Sequence, residues 1–121
     1  MARTERVICA ASALEERGAG VRFMILRDGI ERPAFVVRYD GRPHAYINAC
    51  AHVAVELDWL EGAFFDTERR YLICATHGAT YEPDSGRCIA GPCRGARLTP
   101  LEVIERDGDV VLLEGLPDGM Y

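Results

Sequence analysis

The sequence has no lysine. All 14 of its cationic side chains are arginines, set against 19 acids for a formal charge of −5. The arginines are scattered, so the chain lacks the positive field that holds a phosphate backbone, and nucleic acid is not an expected partner. Long apolar runs are also missing. Unbroken aliphatic and aromatic stretches such as Phe23-Met24-Ile25-Leu26 stop at four residues, too short for a bilayer-spanning helix, so no membrane association is expected. An export leader is not expected either: the apolar stretch Val7 to Ala11 is short and Glu5 sits in the basic region before it. The segment reads instead as a first strand followed by one helical turn, in a cytoplasmic protein. Cysteine is not scarce, with five in the chain, but the odd number without a leader argues against a disulfide framework. No glycine-rich dinucleotide fingerprint is present, which excludes a flavin or nicotinamide site of the chain's own, and no Cys-x-x-Cys-His haem motif occurs.

What is present is a β rhythm. The 121 residues are 49% hydrophobic and 27% charged, the balance of one globular domain with one modest core. Asp28-Gly29, Asp40-Gly41, Ser85-Gly86 and Asp107-Gly108 supply the backbone conformations of tight hairpins. Between them lie short β-rich runs: Val21 to Arg27, Ala34 to Tyr39, His44 to Asn48, Tyr71 to Cys74, Ala79 to Glu82, Leu101 to Glu105 and Val110 to Leu113. Short strands with regular turn signals predict an all-β fold, a small antiparallel sandwich or barrel. One helix is predicted, from the capping-box pattern Ser12-Ala13-Leu14-Glu15 to Gly18. Residues 48–97 break the rhythm. They hold four of the five cysteines and two of the three histidines, among glycines and prolines. Such a region, inserted in a β base at roughly 6–47 and 98–114, reads as a site carried on loops.

The chemistry-bearing pattern is Cys50-Ala51-His52, then 21 residues, then Cys74-Ala75-Thr76-His77. Two Cys–His pairs on two loops can present four ligands to one centre. Thiolates suit iron–sulfur clusters or zinc, and imidazole suits iron, zinc and copper. Structural zinc prefers more than one residue between paired ligands, so that both reach one ion without strain. A two-iron cluster relaxes that demand, because the members of a pair can go to different metals.

At this point the sequence resembles the Rieske [2Fe–2S] family, whose ligand signature is Cys-x-His followed by Cys-x-x-His. The resemblance continues through Gly78, Thr80-Tyr81, Asp84-Ser85-Gly86-Arg87 and Gly91-Pro92. These look like the family's second ligand loop, the following strand and turn, and the proline loop that covers the cluster. The resemblance covers roughly residues 6–114. It implies a two-loop cluster-binding subdomain, at 48–97, within one domain over 1–121. It also implies one [2Fe–2S] cluster per chain, with Cys50 and Cys74 on one iron and His52 and His77 on the other. Neutral imidazoles in place of two thiolates make the cluster easier to reduce than a plant-type one. The potential is then expected in the lower part of roughly −150 to +300 mV, falling as pH rises through the pKa of the ring N–H groups.

There are two departures from the family pattern. The inter-pair segment is longer than usual, and the surplus falls in Glu56 to Arg70, an acidic loop with Trp59 and Phe64-Phe65. The inter-loop disulfide of high-potential members is absent, since its positions hold Val55 and Thr76. The chain therefore looks like the bridge-free type of soluble ferredoxins and oxygenase domains.

The histidine count narrows the role. An oxygenase also needs a mononuclear iron on two histidines and a carboxylate. Once His52 and His77 are assigned, only His44 remains. The expected function is one-electron transfer rather than catalysis, from a flavin-dependent reductase to an oxygenase or other redox enzyme. Two alternatives stand beside it: a small Rieske subunit of a larger redox enzyme, of the nitrite-reductase type, and a zinc-binding Cys2His2 interaction module. Glu56, Asp58, Glu61, Asp66 and Glu68, with Arg87, Arg94 and Arg97 around the proline loop, form either a docking face or a merely solvated one. Cys88 and Cys93 are expected as thiols, Cys9 as a buried apolar residue, His44 as a strand-end surface residue and Trp59 as packing. Tyr81 is expected behind the second ligand loop, from which a hydrogen bond to a cluster sulfur would tune the potential.

Overall fold

A computed structural model describes residues 4–27, 29–51, 55–58, 60–76, 78–92 and 95–114. In chain order the strands are β1 (Thr4–Ala10), β2 (Val21–Arg27), β3 (Ile30–Tyr39), β4 (Arg42–Ile47), β5 (Leu72–Ile73), β6 (Thr80–Tyr81), β7 (Cys88–Ala90), β8 (Pro100–Leu101), β9 (Val103–Arg106) and β10 (Asp109–Glu114). They form three antiparallel sheets, ordered β1-β10-β9, β2-β3-β4-β8 and β5-β6-β7. The first two make the base. The third carries the loop-rich segment between β4 and β8.

The central sheet is covered on both faces, which explains why Ala34-Phe35-Val36-Val37 on β3 is fully buried. Side chains alternate across a strand. Ala34 and Val36 face the β1-β10-β9 sheet, packing with Leu14, Ile25, Ala45, Ile47, Val110 and Leu112. Phe35 and Val37 face the other way, with Tyr46, and pack onto Leu57, Phe64, Leu72, Tyr81 and Leu98 of the inserted region. A one-residue slip of β3 would therefore exchange the two cores. The register is held by hairpin turns in which both central residues have positive φ: Asp40 at 56° and Gly41 at 75°, and Asp107 at 53° and Gly108 at 82°.

The all-β expectation is borne out, with corrections to individual elements. The segment after β1 is not a helix to Gly18 but a single 3-10 turn, Ala11–Ala13, with no side-chain cap. Tertiary contacts outweigh the capping-box pattern. Leu14 is extended and buried between the base sheets. Glu16, freed from helical geometry, accepts hydrogen bonds from Asp40 N at 2.7 Å and Gly41 N at 2.9 Å. The predicted strand Leu101 to Glu105 is two strands in different sheets. Leu101 pairs with Ala45, whereas Val103 pairs with Leu112, so the chain changes sheet at Glu102. Strand β7 has no signal in the sequence, because its three residues lie among loop-forming ones.

Candidate functional site

Cys50 follows β4 and Cys74 follows β5, and each opens a closed loop. Cys50 N donates to Val55 O at 2.8 Å, bounding the first loop. Cys74 N donates to Ala79 O at 2.8 Å and Gly78 N to Cys74 O at 2.9 Å, bounding the second as a hairpin between β5 and β6. The loops are joined to each other, since Ala75 N donates to Leu57 O at 3.0 Å. Cys50 and Cys74 are both buried and belong to the same apolar layer. His52 and His77, the expected nitrogen ligands, lie outside the described residues.

Tyr81 on β6 reaches back to the first loop. Its hydroxyl lies 3.2 Å from Cys50 Sγ and accepts from Ala51 N at 2.9 Å. The hydroxyl accepts from Ala51 N and keeps its own hydrogen to donate; facing a thiolate, which carries none, it is the donor. Burial, then the contact with the Cys50 sulfur, pushes the Tyr81 hydroxyl well above its usual pKa, so it stays a donor. The expected place of Tyr81, behind the second loop, is corrected: the structure sets it against the first ligand's sulfur.

The donor chemistry fits an iron–sulfur cluster. A buried thiolate is costly unless its charge is shared or met by a donor. Here two cysteines on adjoining loops lie in one apolar layer, and one sulfur has the Tyr81 hydroxyl within hydrogen-bond distance. Soft sulfur ligands in such a setting are suited to iron. The chain at Gly91 packs closely against the end of the second loop. At Gly91 φ is 94°, and an added Cβ would stand 2.9 Å from the Ala79 Cα. Only glycine permits that approach of the Gly91-Pro92 segment to the hairpin.

The acidic segment is not uniformly solvated. Asp58 is buried, accepting from Asn48 Nδ2 at 2.9 Å and Gly62 N at 2.9 Å, with Arg22 Nε at 3.0 Å. It therefore leaves the proposed docking face, which the sequence could not show because Arg22 and Asn48 are distant in the chain. Glu56 pairs with Arg22 at 2.8 Å and Glu68 with Arg70 at 2.6 Å. Phe64 anchors the same segment, stacked on Phe35 with ring centroids 4.0 Å apart. Arg97 donates to Ser85 O at 3.0 Å and tethers a turn. Trp59 and Arg94 lie outside the described residues.

Three cysteine and histidine expectations are corrected. Cys88 is disulfide-bonded rather than a thiol. The chain after β7 folds back on its backbone, Cys88 N donating to Ala96 O at 2.8 Å. Cys93 lies outside the described residues. Cys9 is only half-buried, because β1 is an edge strand with a bulge between Val7 and Cys9. His44 sits within β4, half-buried, its Nε2 3.2 Å from Tyr39 O. Among the described residues no helix is long and apolar enough to cross a membrane.

Comparison with known proteins follows the same lines. The family model for the Rieske [2Fe–2S] domain matches residues 4–112. No curated protein sequence matches. Among solved structures, the ferredoxin of carbazole 1,9a-dioxygenase from Nocardioides aromaticivorans IC177 is similar with a TM-score of 0.73 and 21% identity, covering 93% of this chain and 99% of that one. The Sphingomonas yanoikuyae B1 ferredoxin gives 0.68 and 19%, covering 93% and 100%. The terminal oxygenase of carbazole 1,9a-dioxygenase from Novosphingobium sp. KA1 gives 0.67 and 20%, covering 97% of this chain but 31% of that one. These likenesses establish the fold, and the family match decides for a cluster over zinc.

Proposed function

The chain belongs to the Rieske [2Fe–2S] family, and from that premise we propose that it is a one-electron carrier whose cluster is held by Cys50, His52, Cys74 and His77. When bound, the cluster supplies a single reversible electron transfer at a potential above that of all-cysteine clusters. Cys50 and Cys74 would hold the cluster through sulfur, and His52 and His77 through nitrogen. Tyr81 directs its hydroxyl at the Cys50 sulfur, and the Gly91-Pro92 segment shields the second loop from water.

The observation that carries this reading is the joining of two cysteine-bearing loops, through Ala75 N to Leu57 O and Tyr81 to Cys50 Sγ, within one apolar layer. The whole chain acts as one domain, with its base at roughly 6–47 and 98–114 and its cluster-binding region at 48–97. It works in the cytoplasm, taking an electron from a flavin-dependent reductase and passing it to an oxygenase or another redox enzyme. Its likeness in fold to the ferredoxins of dioxygenase systems supports the carrier reading.

The test is iron and sulfide analysis with EPR of the dithionite-reduced protein. Two irons and two sulfides per chain with a rhombic signal are expected. Cys74→Ser should abolish the signal, and loss of His52 or His77 should do the same. Zinc in place of iron, or a rhombic signal that survives Cys74→Ser, overturns the assignment.

A further inference from the structure

Asp58 sits in the sequence among solvent-facing acids, yet its side chain is wholly buried. A carboxylate is stable there only when its oxygens are met by donors and a countercharge. Oδ1 accepts from Asn48 Nδ2 at 2.9 Å. Oδ2 accepts from Gly62 N at 2.9 Å and faces Arg22 Nε at 3.0 Å. Asn48, 1% exposed, uses its own oxygen to accept from Leu57 N at 2.8 Å. Leu57 O in turn accepts from Ala75 N at 3.0 Å.

These bonds run without a gap from β2 to both ligand loops. Arg22 belongs to the base, Asn48 stands two residues before Cys50, and Ala75 directly follows Cys74. The peptide of Leu57 is the bridge between the loops, and the Asn48–Asp58 pair fixes where that peptide sits. We propose that Asp58 and Asn48 are positioning residues that set the two ligand loops relative to each other, with Arg22 as the countercharge. The proposal rests on reading Cys50 and Cys74 as cluster ligands. It assigns to an insertion longer than the family's usual one the role of aligning those ligands.

The donor–acceptor pattern dictates the test. In Asp58→Asn one amide oxygen must replace two carboxylate oxygens, so the NH2 group faces either Asn48 Nδ2 or the Gly62 and Arg22 donors. In Asn48→Asp two carboxylates face each other. In the double variant N48D/D58N every bond can re-form with the amide donating in the opposite direction. The amide oxygen now at position 58 then serves Gly62 and Arg22, while the carboxylate now at position 48 accepts from Leu57 N and from that amide's NH2 group.

Two readouts on the holoprotein decide: the rate of iron release to a chelator, and the EPR line shape of the reduced form. D58N should release iron about tenfold faster, the scale of losing a group that orients a metal ligand, with a shifted g spread. The double variant should recover part of both losses, since its hydrogen bonds re-form but the ion pair of Arg22 with position 58 does not. Val36→Ala, in the base core, should lower the unfolding midpoint while leaving the line shape unmoved, which separates positioning from general destabilisation. Arg22→Gln, at a partly exposed side chain, should act in the same direction as D58N and serves if D58N does not fold. A wild-type line shape and release rate in D58N, or a double variant no better than D58N, overturns the positioning role alone. A wild-type protein without iron overturns the cluster assignment and this role with it.

Discussion

The Tyr81 hydroxyl stands 3.2 Å from the Sγ of Cys50 although 31 residues separate the two in the chain. β6 follows the second ligand loop and Cys50 lies in the first, so the contact spans both. The hydroxyl accepts from the Ala51 amide, and toward a Cys50 thiolate, which has no hydrogen to give, it is the donor.

A donor at a ligand sulfur stabilises the reduced cluster more than the oxidised one, because reduction adds negative charge. Tyr81→Phe should therefore lower the midpoint potential. A hydrogen bond to a charged group is worth ~1.5 kcal/mol or more, and for one electron ~1.4 kcal/mol corresponds to about 59 mV. A fall of several tens of millivolts is expected by potentiometric titration. An unchanged potential would show that the hydroxyl donates elsewhere.

Phe64 belongs to the long inter-loop segment, yet it is fully buried and stacked on Phe35 at an interplanar angle of 12°. Its removal leaves a cavity between the base and the inserted region. Phe64→Ala should cost about 3–5 kcal/mol in chemical denaturation. Phe64→Leu should recover much of that loss, since most of the buried apolar volume returns. Near wild-type stability in the alanine variant would mean that the segment does not support the base.

The Cys–His pattern and most of the strand runs were legible because both are local. Alternating apolar residues and Asp-Gly turns lie next to one another in sequence, and so do the members of each Cys–His pair. What was not legible depended on distant partners. Ser12 and Glu15 carry a capping signal, but the burial of Leu14 overrides it. Asp58 looks like its acidic neighbours until Arg22 and Asn48 are placed beside it. Tyr81 could be guessed as a tuning group, but which sulfur it meets depends on how β6 packs against the first loop. Cys88 reads as a thiol until the chain is seen to fold back on it.

Gly91 should resist substitution in a way most turn glycines do not. Its φ of 94° disfavours any side chain, and the atom a Cβ would meet at 2.9 Å is the backbone Cα of Ala79, which has no rotamer by which to yield. Gly91→Ala should push the covering segment off the second ligand loop. Faster chelator-driven iron loss is expected at an almost unchanged secondary-structure spectrum. Gly29, with no heavy atom within 4 Å of an added Cβ, should tolerate alanine with only the smaller cost of its positive φ. Equal iron-release rates in the two variants would refute the shielding role.

Glu16 gives the protein part of its acid sensitivity. The amide of Gly41, foremost, holds its carboxyl below the usual range; burial opposes it, and the amide of Asp40 with the charges of Arg17 and Arg38 adds to the lowering. A carboxylate whose pKa is lower folded than unfolded contributes stability above the unfolded value, about pH 4.3, and loses it as pH falls through the folded one. Glu16→Gln should therefore be less stable than wild type near pH 7, because an amide offers one acceptor oxygen to two turn amides. The two denaturation midpoints should converge as pH falls below about 4. Convergence will not flatten the curve altogether, since Glu5 is held low in the same way by Arg106. A gap that persists unchanged into acid would show that the Glu16 contribution is steric and not tied to its charge.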